Sequence, residues 1–169
     1  MTKVVVIGMG YVGIPCAALL ADVPGFQVTG VQRRSERSGW KIDHLNAGLC
    51  PFEGDEPGLA ELLHRVVVDK GSFQVTDDYA VCAEADVILI DVQTPTDAFH
   101  VPHYESLREV CGHAGRHMRP ETLVVIESTV APGTTQNTAQ PILEAESGLH
   151  AATVSPMAGV SSRSIPSAP

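Results

Sequence analysis

The 169-residue chain carries 11 Lys and Arg against 20 Asp and Glu, a formal net charge of -9, with 44% hydrophobic and 18% charged residues. This length suits one well-buried domain and falls short of two, and the charge disfavours a nucleic-acid backbone or an anionic membrane as the main partner, because both would repel it. No apolar run approaches the roughly 20 residues that span a bilayer. Met1-Thr2-Lys3 leads into a strand pattern without a signal-peptide signature, and Cys16, Cys50, Cys82 and Cys111 form neither a CxxC pair nor a zinc-finger spacing, so a cytoplasmic protein with reduced structural thiols is expected.

Taken in chain order, Val4–Ile7 is a run of four apolar residues, the mark of a strand covered on both faces in a parallel sheet. It runs directly into Gly8-Met9-Gly10-Tyr11-Val12-Gly13, a glycine-rich turn opening a helix over Ile14–Ala21. In this pattern Gly8 permits the tight turn, Gly10 lets backbone approach a phosphate without a Cβ in the way, and Gly13 lets helix pack close on strand. Phosphate oxygens then meet the free N–H groups at the helix start, so the turn suits a pyrophosphate.

A second strand, Phe26–Val31, ends at Gln32, where a dinucleotide fold normally has an acid for the adenosine ribose diol. Gln32 can still bond a hydroxyl. Arg33 and Arg34 beside it leave two readings open: they receive a 2′-phosphate, or they form a solvated basic pair while Gln32 serves NAD, the commoner situation for charges after a strand. Ser35–Leu45 and Gly58–Val68 read as helices joined by the Gly48–Pro57 loop, with Asp55-Glu56-Pro57-Gly58 as a helix start. A short strand at Phe73–Val75 and a helix after Asp77-Asp78 follow.

The fourth strand, Val87–Ile90, leads through Asp91 into Val92-Gln93-Thr94-Pro95-Thr96, at a carboxyl edge where open α/β sheets bind ligands. A helix over Leu107–His117 separates it from the fifth strand, Leu123–Ile126, which runs into the hydroxyl-rich turn Ser128–Thr135. Thr134 and Thr135 suit N-capping, whereas Ser128 and Thr129 lie nearer the strand end and are better placed for a cofactor. His100, His103, His113 and His117 have neither a convergent acid nor an HExxH pattern, so they read as exposed histidines and no metal is assigned. Asp91 reads as an acid bonded to loop amides. After Gly148 the apolar period fades, and 151–169 is expected to be a disordered Ser/Pro/Ala-rich tail. Strands alternating with helices predict an α/β, doubly wound, mostly parallel Rossmann-type sheet with helices on both faces.

Four segments, GMGYVGIP, PFEGDEPGLAELL, ADVILIDVQTP and VVIESTVAPGTT, resemble in order and spacing the N-terminal half of the UDP-glucose/GDP-mannose dehydrogenase family, most closely its UDP-N-acetyl-D-mannosamine dehydrogenase branch. The resemblance implies an NAD-binding domain over residues 1–150 of a nucleotide-sugar 6-dehydrogenase. Such an enzyme oxidises the C6 alcohol of a UDP- or GDP-hexose to a carboxylate in two NAD-dependent steps. It implies a role in nucleotide-sugar metabolism and polysaccharide biosynthesis, and homo-oligomers of the full-length enzyme. The cofactor contacts it carries over fall on Gly8, Met9, Gly10, Tyr11, Val12, Gly13, Gln32, Arg37, Val92, Gln93, Thr94, Pro95, Thr96, Ser128, Thr129 and Val130, and Thr129 also matches a threonine that helps hold a catalytic water.

Two departures bear on chemistry. Gln32 replaces the usual acid, and Val154-Ser155-Pro156 is followed by Met157 where the family has a glutamate. Family chains are far longer and carry their nucleophilic cysteine in a later, glycine-rich loop, a context that none of the four cysteines here shares. The resemblance therefore implies a truncated or frame-shifted dehydrogenase that binds NAD without turning over. Two alternatives stay open: a small NAD(P)-dependent dehydrogenase completed by a partner chain, and a regulatory or assembly module that kept only the fold.

Overall fold

The structure, a computed structural model, describes residues 1–52 and 56–151. Among these, five strands, β1 (Thr2–Ile7), β2 (Phe26–Val31), β3 (Phe73–Thr76), β4 (Val87–Ile90) and β5 (Leu123–Ile126), form one sheet in the order β3-β2-β1-β4-β5. Every neighbouring pair is parallel, with Val5 opposite Thr29 and Ile88. The chain leaves β1 toward β2 and β3, then returns to β4 on the other side of β1. That reversal is the switch point at which doubly wound sheets leave a crevice beyond their carboxyl ends.

Residues along β1 alternate between two cores, because successive strand side chains point to opposite faces. Val4 and Val6 pack with Ile14, Ala17 and Ala18 of α1 (Gly13–Asp22), Leu45 of α2 (Trp40–Asn46) and Leu63 of α3 (Leu59–His64). Val5 and Ile7 pack with Leu107, Cys111 and Ala114 of α4 (Glu105–His117) and Leu143 of α5 (Gln140–Ser147). Each such side chain contributes about 1.5–3 kcal/mol by leaving water, so β1, buried on both faces, is the sheet's anchor. The outer edge of β3 is closed by a side chain: Asn46 Nδ2 donates to the Val75 carbonyl at 2.8 Å and its Oδ1 accepts from the Val75 N–H at 2.7 Å. Such pairing occupies an edge that could otherwise recruit a foreign strand.

The predicted doubly wound parallel sheet is the fold observed, and several local boundaries differ. The helix expected over Ser35–Leu45 begins only at Trp40, because Ser35 draws the chain into a turn: its hydroxyl accepts from the Ser38 N–H at 3.2 Å and its carbonyl from the Gly39 N–H at 2.7 Å. The helix after Asp77-Asp78 is a 3₁₀ segment, Tyr79–Glu84, started by Asp78, whose carboxylate accepts from the Ala80 N–H at 2.8 Å. Gly58–Val68 is α3 continued by a π-helical turn at Arg65–Asp69, and Gly58, at φ +79°, takes the N-cap position itself. Asp55, in the expected helix start, lies outside the described residues, as does the expected tail apart from Ala151. Thr134 and Thr135 do not cap; a π-helical turn at Thr135–Ala139 leads into α5, and the Thr134 hydroxyl lies 3.3 Å from that of Tyr104.

Candidate functional site

At the switch point a cleft of about 450 Å³ opens above the carboxyl ends of β1, β2 and β4. Its floor is the glycine turn, where each glycine answers a different constraint. Gly8 sits at φ +111°, and a Cβ there would lie 1.9 Å from the Asp91 carbonyl oxygen. A Cβ on Gly13 would lie 1.9 Å from the Gly8 carbonyl, so α1 reaches the strand only because that atom is missing. Gly10 differs: its Cβ would meet nothing within 4 Å. It lines the cleft, so the space a side chain would fill belongs to whatever the cleft holds. A pyrophosphate fits this cradle, because the N–H groups of Gly10, Tyr11 and Val12, just ahead of α1, make no hydrogen bond among the described residues and lie at the positive end of the helix dipole, whereas those of Gly13, Ile14 and Cys16 are already bonded.

Gln32 stands at the end of β2 with its side chain already engaged. Its Oε1 accepts from the Met9 N–H at 3.3 Å, while Nε2 donates to Ser38 Oγ at 3.0 Å and to the Arg33 carbonyl at 3.2 Å. The amide thus ties the glycine turn to the 33–38 loop. Lys41 makes a second tie, donating from Nζ to the Met9 carbonyl at 3.3 Å. Arg33, Ser35, Arg37 and Ser38 complete this wall, and Tyr79, Ser106, Glu109 and Val110 face them across the cleft.

Asp91 ends β4 beneath the glycine turn. Burial pushes its carboxyl above the usual carboxylate range, the charge of Glu127 adds to that, and a hydrogen bond from the Gly13 N–H opposes both. The sequence reading of Asp91 as an acid bonded to a loop amide therefore fits its surroundings. Beside it, burial first and Glu127 second push the Cys16 thiol up to about 11, with Sγ 3.6 Å from Glu127 Oε2.

The sixteen sequence-predicted positions separate into groups. Gly8, Met9, Gly10, Gln32, Arg37, Val92 and Gln93 line the cleft. Met9 is buried with its side chain under Gly30, so it faces the cleft through its backbone. Gly13 is buried behind the turn; Tyr11 and Val12 are exposed on the outer side, with Tyr11 stacked on Phe52 at 4.4 Å. Ser128 is buried, its hydroxyl accepting from the Val92 N–H at 2.9 Å and donating to the Val92 carbonyl at 2.8 Å, so it holds the β4 loop in place. Thr94 Oγ1 donates to the Thr129 carbonyl at 2.8 Å, which joins the loops after β4 and β5; Thr129 is exposed and Val130 half-buried against the core. Pro95 and Thr96 are exposed beyond the cleft.

The four cysteines are unpaired, and Cys82 and Cys111 are buried. His103 lies between Asp97 and Glu105 at 3.8 and 3.5 Å, and His113 stacks on Tyr79. No described helix is long and apolar enough to cross a membrane.

Comparison with known proteins decides the family: residues 2–161 match the NAD-binding domain of the UDP-glucose/GDP-mannose dehydrogenase family. The chain belongs to that family. It is 37% identical over 150 residues to a GDP-mannose 6-dehydrogenase of Pseudomonas putida, covering 86% of this chain and 32% of that protein. It is 33% identical to a UDP-N-acetyl-D-mannosamine dehydrogenase of Pyrococcus horikoshii, over 87% of this chain and 33% of that one. Among solved structures, an NDP-N-acetyl-D-galactosaminuronic acid dehydrogenase from Methanosarcina mazei superposes with a TM-score of 0.85 at 45% identity, over 89% of this chain and 32% of that chain. The chain thus spans about a third of the length of the relatives it matches. It is the NAD-binding domain of a nucleotide-sugar dehydrogenase family, and its cofactor is NAD.

For an NAD-binding domain of this family, the sequence reading missed the wall residues Ser35, Ser38 and Lys41, and Tyr79, Ser106, Glu109 and Val110 opposite. A signal for the first set was present, since two serines three apart suit a turn better than a helix interior. The second set has no such signal: 79 lies in the 3₁₀ segment and 106–110 in α4, brought to the cleft only by the crossover of the chain.

Proposed function

We propose that the cleft holds NAD across the carboxyl ends of β2, β1 and β4, as the nucleotide site of an enzyme that oxidises a UDP- or GDP-linked sugar at C6. The observation carrying this reading is Gly10, whose missing Cβ leaves an open cradle at the head of α1 inside the cleft. Gly8 to Gly13 receive the pyrophosphate, Gln32 and Arg37 the adenosine ribose, and Val92 to Thr96 with Ser128 to Val130 the nicotinamide end. When bound, NAD supplies the oxidising group. The chain's own residues position it: the amides of Tyr11 and Val12 donate to phosphate, Gln32 holds the glycine turn against β2, and Ser128 fixes the loop of Val92. Thr129 offers an exposed hydroxyl for a water near the reacting carbon. A cytoplasmic site of action, supported by four unpaired thiols, belongs to the same reading, as do polysaccharide biosynthesis and a homo-oligomeric full-length enzyme.

The family chemistry needs a thiolate to carry the aldehyde to the acid, and the thiols here are poorly suited to it. Burial, chiefly, pushes Cys16 and Cys111 up to about 11 and Cys82 up to about 12, which leaves them protonated near neutrality. Cys50 packs against the core on the α1 and α3 side. Purified chain should bind NAD in a calorimeter and yield no sustained NADH absorbance with UDP-N-acetylmannosamine or UDP-glucose. Absence of NAD binding would overturn the site assignment; about two NADH per sugar consumed, from this polypeptide alone, would overturn the assignment of its cysteines as non-nucleophilic.

A further inference from the structure

We propose that the ribose end of this cleft is a phosphomonoester subsite, so that the domain accepts a 2′-phosphorylated dinucleotide, NADP, at least as readily as NAD. The inference rests on the dinucleotide reading of the cleft and concerns only its Gln32–Lys41 wall. In dinucleotide folds an acid at the end of the second strand binds the ribose diol and repels a 2′-phosphate, whereas a nearby arginine accommodates that phosphate. Here the position holds Gln32, and both ends of its amide are occupied by Met9, Ser38 and the Arg33 carbonyl. No carboxylate of the 32–41 segment lines the cleft, because Glu36 is exposed outside it.

What does line it there is cationic and hydroxylic: Arg33, Arg37 and Lys41 with Ser35 and Ser38. The serine hydroxyls bond each other at 2.8 Å, which uses one of their two protons; the other makes only a long 3.4 Å contact, from Ser38 to the Arg33 carbonyl, and can turn to a phosphate oxygen. Arg37 has no acidic partner among the described residues. Arg33 is held only loosely, 3.5 Å from Glu109 across the cleft, with side chains 71% and 49% exposed. A dianionic phosphate competes well for such a pair, since charge-assisted and bidentate contacts to guanidinium are stronger than exposed ion pairs. Arg34 is turned away instead, its Nε donating to Asp77 at 2.9 Å. Of the adjacent pair Arg33 and Arg34, only Arg33 faces the site, where the expected contact Arg37 and also Lys41 lie beside it. The acids on the cleft, Glu109 and Asp91, sit on the opposite wall and beneath the glycine turn.

The test titrates the chain with NAD and NADP by calorimetry, then repeats both with the Arg33→Ala/Arg37→Ala double variant. These side chains are exposed, so the fold should tolerate their loss, and circular dichroism checks it. In the parent, NADP is expected to bind as tightly as NAD or more tightly, and in the double variant the NADP-to-NAD affinity ratio should fall at least tenfold. As an arm independent of the nicotinamide half, 2′,5′-ADP should bind more tightly than 5′-AMP. NADP binding weaker than NAD, or a ratio unmoved by the double variant, would overturn the phosphate subsite while leaving the cleft assignment intact. If neither dinucleotide binds, the cleft assignment itself falls.

Discussion

Replacing the glycines of the turn one at a time should separate fold from function. Gly8→Ala puts a Cβ 1.9 Å from the Asp91 carbonyl oxygen at φ +111°. A side chain held in such a region costs on the order of 1–3 kcal/mol, and the overlap with backbone cannot be relieved by turning a side chain. Against a total stability of about 5–15 kcal/mol, that is enough to lower the melting temperature by many degrees. Gly13→Ala meets the Gly8 carbonyl at the same 1.9 Å and should behave alike. Gly10→Val should not, because its Cβ meets no atom within 4 Å; we expect a change within about 0.5 kcal/mol, as for a surface site. Its isopropyl group would occupy the cradle, and loss of pyrophosphate contacts should weaken NAD at least a hundredfold, about 2.8 kcal/mol. Thermal denaturation reads the first effect and calorimetric titration the second. The reasoning fails if Gly10→Val loses stability as Gly8→Ala does, or keeps NAD affinity unchanged while folded.

Three further outcomes are expected. Gln32→Asp places a carboxylate at the ribose end, so paired titrations should show the NAD preference over NADP rising at least tenfold; an unchanged ratio would show that residue 32 does not face the ribose. Asp91 has its folded-state value raised, chiefly by burial and next by Glu127. It binds its proton more firmly folded than unfolded, so it lowers stability progressively as pH rises from its unfolded value of about 3.9 through its folded value. Asp91→Asn should therefore gain on the parent from pH 4 toward 7, and a flat difference curve in urea denaturation would refute the shift. Asp22 is the opposite case, held far below the usual range by hydrogen bonds from Arg65 and then Lys70. Its contribution is complete above about 3.9 and fades as pH falls below that, so the parent's advantage over Asp22→Asn should be present at pH 7 and shrink in acid; persistence at pH 2 would contradict it.

Much was legible along the chain because it depends on neighbours in sequence. The four-residue apolar run before Gly8, the glycine spacing and the alternation of strands with helices dictate a parallel sheet and a phosphate-sized turn, since period, positive φ and missing Cβ atoms are local properties. Where local signals compete, the folded chain decided. Ser35 ended the expected helix early by bonding its own turn, and Asp78 shaped a 3₁₀ segment where a full helix was expected. Three-dimensional contacts alone decided the cleft's two walls. Arg34 leaves the site because Asp77, 43 residues away, pairs with it. Ser128 supports the site through the Val92 loop, because Val92 takes both roles of its hydroxyl. Tyr79 and α4 enter it because the chain crosses the sheet to reach them. Conformation follows from residues in order; recognition depends on which charges and hydroxyls packing leaves without a partner.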